Sequence, residues 1–258
     1  MSESPCSRAV RRAIVAVVLA LGVPASSPAQ PALPGDFVYL RDVDPTIVQD
    51  IRYATANNFT GKKLAGYEAG ECVLKQAAAV ALGRVQQELK ARGLSLKVLD
   101  CYRPQRASRA MLAWANDGAE AQKRYHPKLN KRDLFSLGYI AAYSGHATGA
   151  VVDLTLVDLA ADDRTGFDPE KSYGDCTAPA DRRAPEGSVD MGTGFDCFDN
   201  ASHTASASLT PQQRQWRQTL KAAMGRQGFV NYFREWWHFS LPGAGRAAFD
   251  FPIRKRER

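Results

Sequence analysis

SGHATGAVVDLTL, residues 144–156, is the stretch on which the fold turns. Read as a strand, 150–156 puts Val152, Leu154 and Leu156 on one face and Val151, Asp153 and Thr155 on the other. The first face suits a core under packed helices. Asp153 then points away from those helices, toward the other side of the sheet. Gly145 and Gly149 loosen the turn before the strand, and His146 in that turn can swing to the side of Asp153. A strand that is apolar on one face and carries a carboxylate on the other divides the molecule into a packed side and a chemical side.

The neighbouring segments fit that division. Val73 to Arg92 predicts a helix with Leu74, Ala78, Ala81, Val85 and Leu89 in one stripe and Gly93 past its end. Leu94, Leu96 and Val98 alternate as a strand that runs into Asp100-Cys-Tyr-Arg-Pro104. Pro104 opens the next helix, with Ala107, Met111 and Trp114 on one face. Thr210-Pro211 caps a helix whose stripe is Trp216, Leu220, Ala223 and Met224, ended by Gly228. Ile47 to Ala54 alternates as a strand, and Phe229 to Leu241 is rich in aromatic and β-branched residues, which favours strand. The expected class is α+β: an antiparallel sheet with helices packed on one face and the site on the open face. Residues 157–190, dense in Asp, Gly, Pro and Arg, predict a long surface excursion.

The chain has 258 residues, 45% hydrophobic and 24% charged, which suits a single domain over 30–258. Residues 1–29 read as a signal peptide. Arg8, Arg11 and Arg12 precede the apolar run Ala13 to Val23, which is too short to span a bilayer, and small residues follow it. The competing reading is an uncleaved anchor. The expected protein is exported to the periplasm with no stable membrane insertion once the signal is removed. The formal charge is +7, and residues 1–29 carry three Arg and one Glu, so the rest stands near +5. Much of that excess sits in the tail Arg254-Lys-Arg-Glu-Arg258, expected to be a solvated end. No basic stripe is interleaved with aromatics, so a nucleic-acid partner is not expected. Cys72, Cys101, Cys176 and Cys197 remain after the signal, without a C-x-x-C pair, which argues against a thiolate metal site. Pairing sequence neighbours closes the shortest loops and predicts Cys72–Cys101 and Cys176–Cys197 disulfides.

Chemistry-bearing residues recur near the C-terminus in Glu235-Trp-Trp-His238. On a strand, His238 faces away from Trp237 and Phe239. Two histidines and a carboxylate, His146, Asp153 and His238, form a three-ligand zinc set that leaves a fourth position for water. Glu235 just upstream is placed to hold that water. Taken singly, His146 suits a hydrogen-bonded surface histidine, His238 a satisfied core histidine and Asp153 a solvated strand end. His126 and His203, in polar surroundings, are read as surface residues.

Together, Ser144-x-His146-x6-Asp153, Glu235-x-Trp237-His238, Asp100-x-Tyr102-Arg-Pro104, Met191-Gly-Thr-Gly-Phe-Asp196 and the segment Asp50 to Gly61 resemble the D-alanyl-D-alanine dipeptidase family, the VanX-like zinc peptidases. The resemblance spans residues 37–241. It implies that His146, Asp153 and His238 bind one Zn²⁺ per chain and that Glu235 is the general base. It implies that Arg103 stabilises the oxyanion, and that Ser144 and Asp196 hold the free ammonium of a small D-amino-acid dipeptide. The longer excursion and the cysteines depart from the smaller family members and bear on the substrate mouth. With export, the implied role is hydrolysis of D-Ala-D-Ala released in the cell envelope. Two rival readings are a zinc D,D- or L,D-carboxypeptidase trimming peptidoglycan stems and a non-catalytic zinc-bearing binding module. Asp196 argues against the first and Glu235 against the second.

Overall fold

The computed structural model describes residue 1 and residues 33–119, 122–141, 143–161 and 166–257. Apart from Met1, the signal-peptide reading at 1–29 lies outside the described residues. Leu33–Arg258 forms one compact unit.

In chain order the elements are β1 (Phe37–Tyr39), α1 (Leu40–Val43), β2 (Val48–Gln49), β3 (Val73–Lys75), α2 (Gln76–Lys90), β4 (Leu94–Asp100) and α3 (Gln105–Asn116). They continue with β5 (Val151–Asp158), α4 (Pro211–Arg226), β6 (Val230–Asn231) and β7 (His238–Ser240). The class is α+β. A five-stranded sheet runs β2-β4-β5-β7-β6, and β1 pairs with β3 in a second small sheet. The pairs β4–β5, β5–β7 and β6–β7 are antiparallel, whereas the edge strand β2 lies parallel to β4.

Val152, Leu154 and Leu156 are fully buried, as are Leu96 and Val98 opposite them. Helices α2 and α4 pack on β4 and β5 and on each other, contributing Ala78, Leu82, Val85, Leu89, Leu220 and Met224 to the core. Each leucine or valine so buried is worth about 1.5–3 kcal/mol. The Thr210 cap closes both bonds of a capping box with Gln213, at 3.2 and 3.0 Å, which fixes where α4 begins.

Several local expectations give way to tertiary pairing. The helix predicted from Val73 begins at Gln76, because Val73–Lys75 is taken into a ladder with β1. The strand expected over 47–54 is two residues of β2 followed by a 3-10 turn at Arg52–Ala54. The long strand expected over 229–241 is the short hairpin β6–β7, and residues 232–237 form its turn. His126 is not a surface residue: it is 1% exposed, its Nδ1 lies 2.9 Å from Leu129 O and its ring packs edge-on to Trp114. The tail stays at the surface but is anchored there. Ile253 is buried and bridges to Tyr67, while Arg254 pairs with Glu68 at 3.2 Å and Arg256 with Asp42. Just before it, Phe251 stacks on Tyr102 at 4.2 Å.

Cys72 and Cys101 stand at disulfide distance, 1.97 Å between sulfurs, and Cys176 and Cys197 at 2.05 Å. The second pair connects the excursion to the segment carrying Asp196. Gly149 is held at φ +75°, and a Cβ there would fall 2.2 Å from the Phe37 ring. Only glycine fits both the left-handed backbone and the space.

Candidate metal centre and its cavity

Strand register brings the site together. Asp153 of β5 pairs laterally with His238 of β7 on one side and Asp100 of β4 on the other. Laterally paired residues share a face, so the three side chains rise in a row. Asp100 reaches this row through an irregularity. The ladder steps from Val98↔Leu154 to Asp100↔Asp153, leaving Leu99 as the extra residue of a bulge. Without that bulge, Asp100 would point to the core face.

His146 completes the group from the 3-10 turn Gly145–Thr148, where the Ser144 hydroxyl accepts the His146 N–H at 3.3 Å. The Nδ1 of His146 lies 2.7 Å from the carbonyl of Cys101. A carbonyl can only accept, so Nδ1 carries the proton and Nε2 presents a lone pair. That Nε2 lies 3.2 Å from Asp153 Oδ2 and 3.3 Å from His238 Nδ1. Asp153 Oδ1 is 3.0 Å from His238 Nδ1 yet takes part in no hydrogen bond, a buried acceptor left over. The three residues offer ligand atoms that all lie within 4.8 Å of one another. Converging lone pairs around an orphaned carboxylate oxygen suit a cation, and two imidazoles with one carboxylate suit a divalent metal of the zinc type. Burial opposes charge on Asp153, but His146 and His238 outweigh it and hold the carboxyl well below its ordinary range.

Behind this row lies a second set of charges. Asp100 is fully buried and accepts from Tyr67 OH at 2.6 Å and from Arg103 Nε at 2.9 Å. Burial pushes its carboxyl up against the pull of Arg103. The Arg103 guanidinium lies 4.8 Å over the Tyr53 ring and 3.7 Å from Asp153 Oδ2. Burial works against its charge and Asp100 overcomes that, so the arginine is held charged and fixed.

Two acidic groups face the cavity from other segments. Asp196 sits in the left-handed region at φ 55°, and its Oδ2 accepts the Tyr53 hydroxyl at 2.8 Å. A non-glycine residue there carries backbone strain of order 1–3 kcal/mol. Burial, then the charge of Asp153, pushes its carboxyl well above the usual value. Glu235, in the β6–β7 turn, has Oε2 3.5 Å from His238 Nδ1. Its carboxyl is likewise pushed well up by burial and by Asp153, against Arg103.

Arg103, Ser144, His146, Asp153, Asp196, Glu235 and His238, all singled out from sequence, line one cavity of about 230 Å³. That is below the roughly 300–1,000 Å³ of drug-sized ligand pockets, so the cavity suits a small molecule. Sequence reasoning missed Tyr53, which touches both Arg103 and Asp196, and gave no role to Asp100 or Tyr67. Both Tyr53 and Asp100 stand inside motifs already quoted, which is the signal that could have found them. A larger hollow of about 1080 Å³, beside Lys128 and His203, contains none of the seven residues.

The family model described as D-ala-D-ala dipeptidase matches residues 35–169 and 160–255. A D-alanyl-D-alanine dipeptidase of Streptomyces coelicolor is 34% identical over 223 residues, covering 85% of this chain and 98% of that protein. One from Enterococcus faecium is 30% identical over 222 residues, covering 84% and 98%. One from Escherichia coli is 31% identical over 209 residues, covering 81% and 86%.

Proposed function

The chain belongs to the D-ala-D-ala dipeptidase family of metallopeptidases, and on that premise we propose that it hydrolyses free D-alanyl-D-alanine in the cell envelope with one zinc ion per chain. The observation that carries the reading is a small cavity on which a His-Asp-His donor set, a glutamate, an arginine and a second acid converge.

His146 Nε2, Asp153 and His238 Nδ1 would hold the zinc. When bound, zinc polarises a carbonyl and lowers the pKa of water to about 7. Glu235 takes the proton of the attacking water and passes it to the leaving amine. Its desolvated surroundings suit a group that must both accept and return a proton. Arg103 keeps its charge at any working pH and faces the oxyanion that develops at the scissile carbonyl. Losing such a donor costs about 2.7–4 kcal/mol. Asp196, oriented by Tyr53, pairs with the free ammonium of the dipeptide, and Ser144 lines the same end. A blocked amine would leave the buried Asp196 carboxyl with the Tyr53 hydroxyl alone and no cation to balance its charge, which disfavours stem peptides.

Two features support a place outside the cytoplasm. The signal-like run at 1–29 is one, and the two cysteine pairs at disulfide distance, which suit an oxidising compartment, are the other. Among the described residues no helix is long and apolar enough to cross a membrane. The deciding assay compares purified protein on D-Ala-D-Ala and on an N-acylated tripeptide ending in D-Ala-D-Ala. Faster cleavage of the blocked peptide would replace the dipeptidase reading with a carboxypeptidase one. Glu235→Ala should keep its zinc and lose at least about 10²-fold in rate. Undiminished turnover would remove Glu235 from the mechanism.

A further inference from the structure

We propose that Asn231 is a positioning residue that sets the distance between Glu235 and His238. The inference rests on the dipeptidase reading for its kinetic part and on geometry alone for its metal-binding part.

Glu235 lies in the β6–β7 turn, and His238 is the first residue of β7, held on its other side by the pairing with Asp153. The β6–β7 pairing covers only Val230↔Ser240 and Asn231↔Phe239. Within the turn, Glu235 N–H donates to Tyr232 O at 3.0 Å and His238 N–H to Glu235 O at 3.3 Å. The His238 carbonyl also accepts the Tyr232 N–H at 2.9 Å, and the side chain of Asn231 adds a link that these backbone bonds do not make, from one group to both carbonyls. Its Nδ2 donates to Glu235 O and to His238 O, each at 3.0 Å. Its Oδ1 accepts the Thr204 hydroxyl at 2.6 Å, while Thr204 N–H donates to Phe233 O at 2.9 Å.

The two carbonyls chosen are those of the two working residues. A carbonyl is bonded to the Cα of its own residue, so fixing its direction fixes ψ there and with it the direction of the Cα–Cβ bond. One planar amide, using both its N–H groups, therefore ties the side-chain origin of Glu235 to that of His238. The two carbonyls prevent the amide from turning over, since the flipped group would set its oxygen against two groups that can only accept. The Oε2 of Glu235 and the Nδ1 of His238 are 3.5 Å apart, and misplacement by an ångström is enough to cost about a hundredfold in rate.

The test uses Asn231→Asp, which keeps shape and the Thr204 contact but cannot donate, and Asn231→Ala, which removes both functions. Zinc affinity is measured by chelator competition, and kcat and KM for D-Ala-D-Ala are measured at saturating zinc. We expect zinc affinity to fall about tenfold in both variants, the usual scale for a lost outer contact. We expect kcat to fall tenfold or more with KM within threefold, because the interaction acts on the proton-transferring group rather than on dipeptide binding. A merely structural residue would lower thermal stability and leave kcat at saturating zinc intact. Zinc affinity or kcat within threefold of the parent in both variants overturns the proposal. A parent inert toward the dipeptide, alongside variants tenfold weaker for zinc, would sink the substrate reading and leave Asn231 in place.

Discussion

The loop that carries Asp196 is stapled at both ends by one buried arginine, and removing that arginine gives a calculable loss. Arg217 of α4 is 2% exposed. Its Nε donates to Met191 O at 2.7 Å, its Nη1 to His203 O at 2.7 Å and its Nη2 to Ala201 O at 3.0 Å. Asp196 lies between these anchor points. In Arg217→Met the unbranched stem is kept and all three donors go. His203 O keeps the Ser206 N–H at 2.8 Å, so the loss falls on the Met191 and Ala201 carbonyls. A buried acceptor left unpaired costs about 1–3 kcal/mol, and the Ala201 bond is only partly buried, so the sum is about 2–4 kcal/mol. For a chain of this size that is a fall in Tm of about 4–16 °C. Urea unfolding of the metal-free protein, with the m-value checked for constancy, measures it directly. Arg217→Lys keeps one donor's worth of contact and should fall between. A loss below about 1 kcal/mol in Arg217→Met would mean that water satisfies the carbonyls, and the staple would be refuted. In the kinetics, KM for the dipeptide should rise more than kcat falls, because Asp196 is the proposed anchor for the amine.

Two further outcomes are expected. Replacing Cys72 and Cys101 together by serine should cost about 2–4 kcal/mol and weaken zinc binding about tenfold, since the Cys101 carbonyl orients His146 at 2.7 Å; unchanged affinity by chelator competition would detach the bridge from the metal site. Asp196 should give the metal-free protein a pH signature. Its folded pKa is raised above the usual value by burial and by Asp153, so between about pH 4 and that raised pKa the native state binds more protons than the unfolded one, and stability falls as pH rises. Asp196→Asn should flatten that slope in unfolding curves taken at several pH values, and a parent-like slope in the variant would show that another group is responsible.

What the sequence makes legible here is whatever depends on local parity. The alternation of 150–156 correctly assigns Val152, Leu154 and Leu156 to the core and Asp153 to the opposite face, and the aromatic neighbours of His238 place its imidazole on the same side. What depends on partners in space is not legible. The bulge at Leu99 moves Asp100 to the site face, and no spacing within 94–100 announces it. The start of α2 is delayed to Gln76 by a strand distant in the chain. Trp236 and Trp237 are each 1% exposed within a turn, so their strand-like composition reports burial rather than extended backbone. His126 looked polar by its neighbours in sequence, but its neighbour in space is the Trp114 ring.

The charge balance of the cavity gives the metal proposal a consequence that needs no turnover. Four buried carboxyl groups, Asp100, Asp153, Asp196 and Glu235, gather around one guanidinium, Arg103, among the described residues. An unpaired buried charge costs several kcal/mol, so the metal-free site must take up protons, and Asp196 and Glu235 have carboxyls raised accordingly. A dication bound by His146, Asp153 and His238 offers a better neutralisation. It should stabilise the fold by about 2.7 kcal/mol at a free concentration one hundred times its Kd, or about 5–11 °C in Tm for a chain of this length. A chelator should reverse the shift. Asp153→Asn keeps the volume of the side chain and removes both its charge and its anionic ligand, so added zinc should move its Tm by little. The comparison is decisive in either direction. If zinc raises the Tm of Asp153→Asn as far as it raises that of the parent, the ion binds elsewhere and the three side chains are not its site.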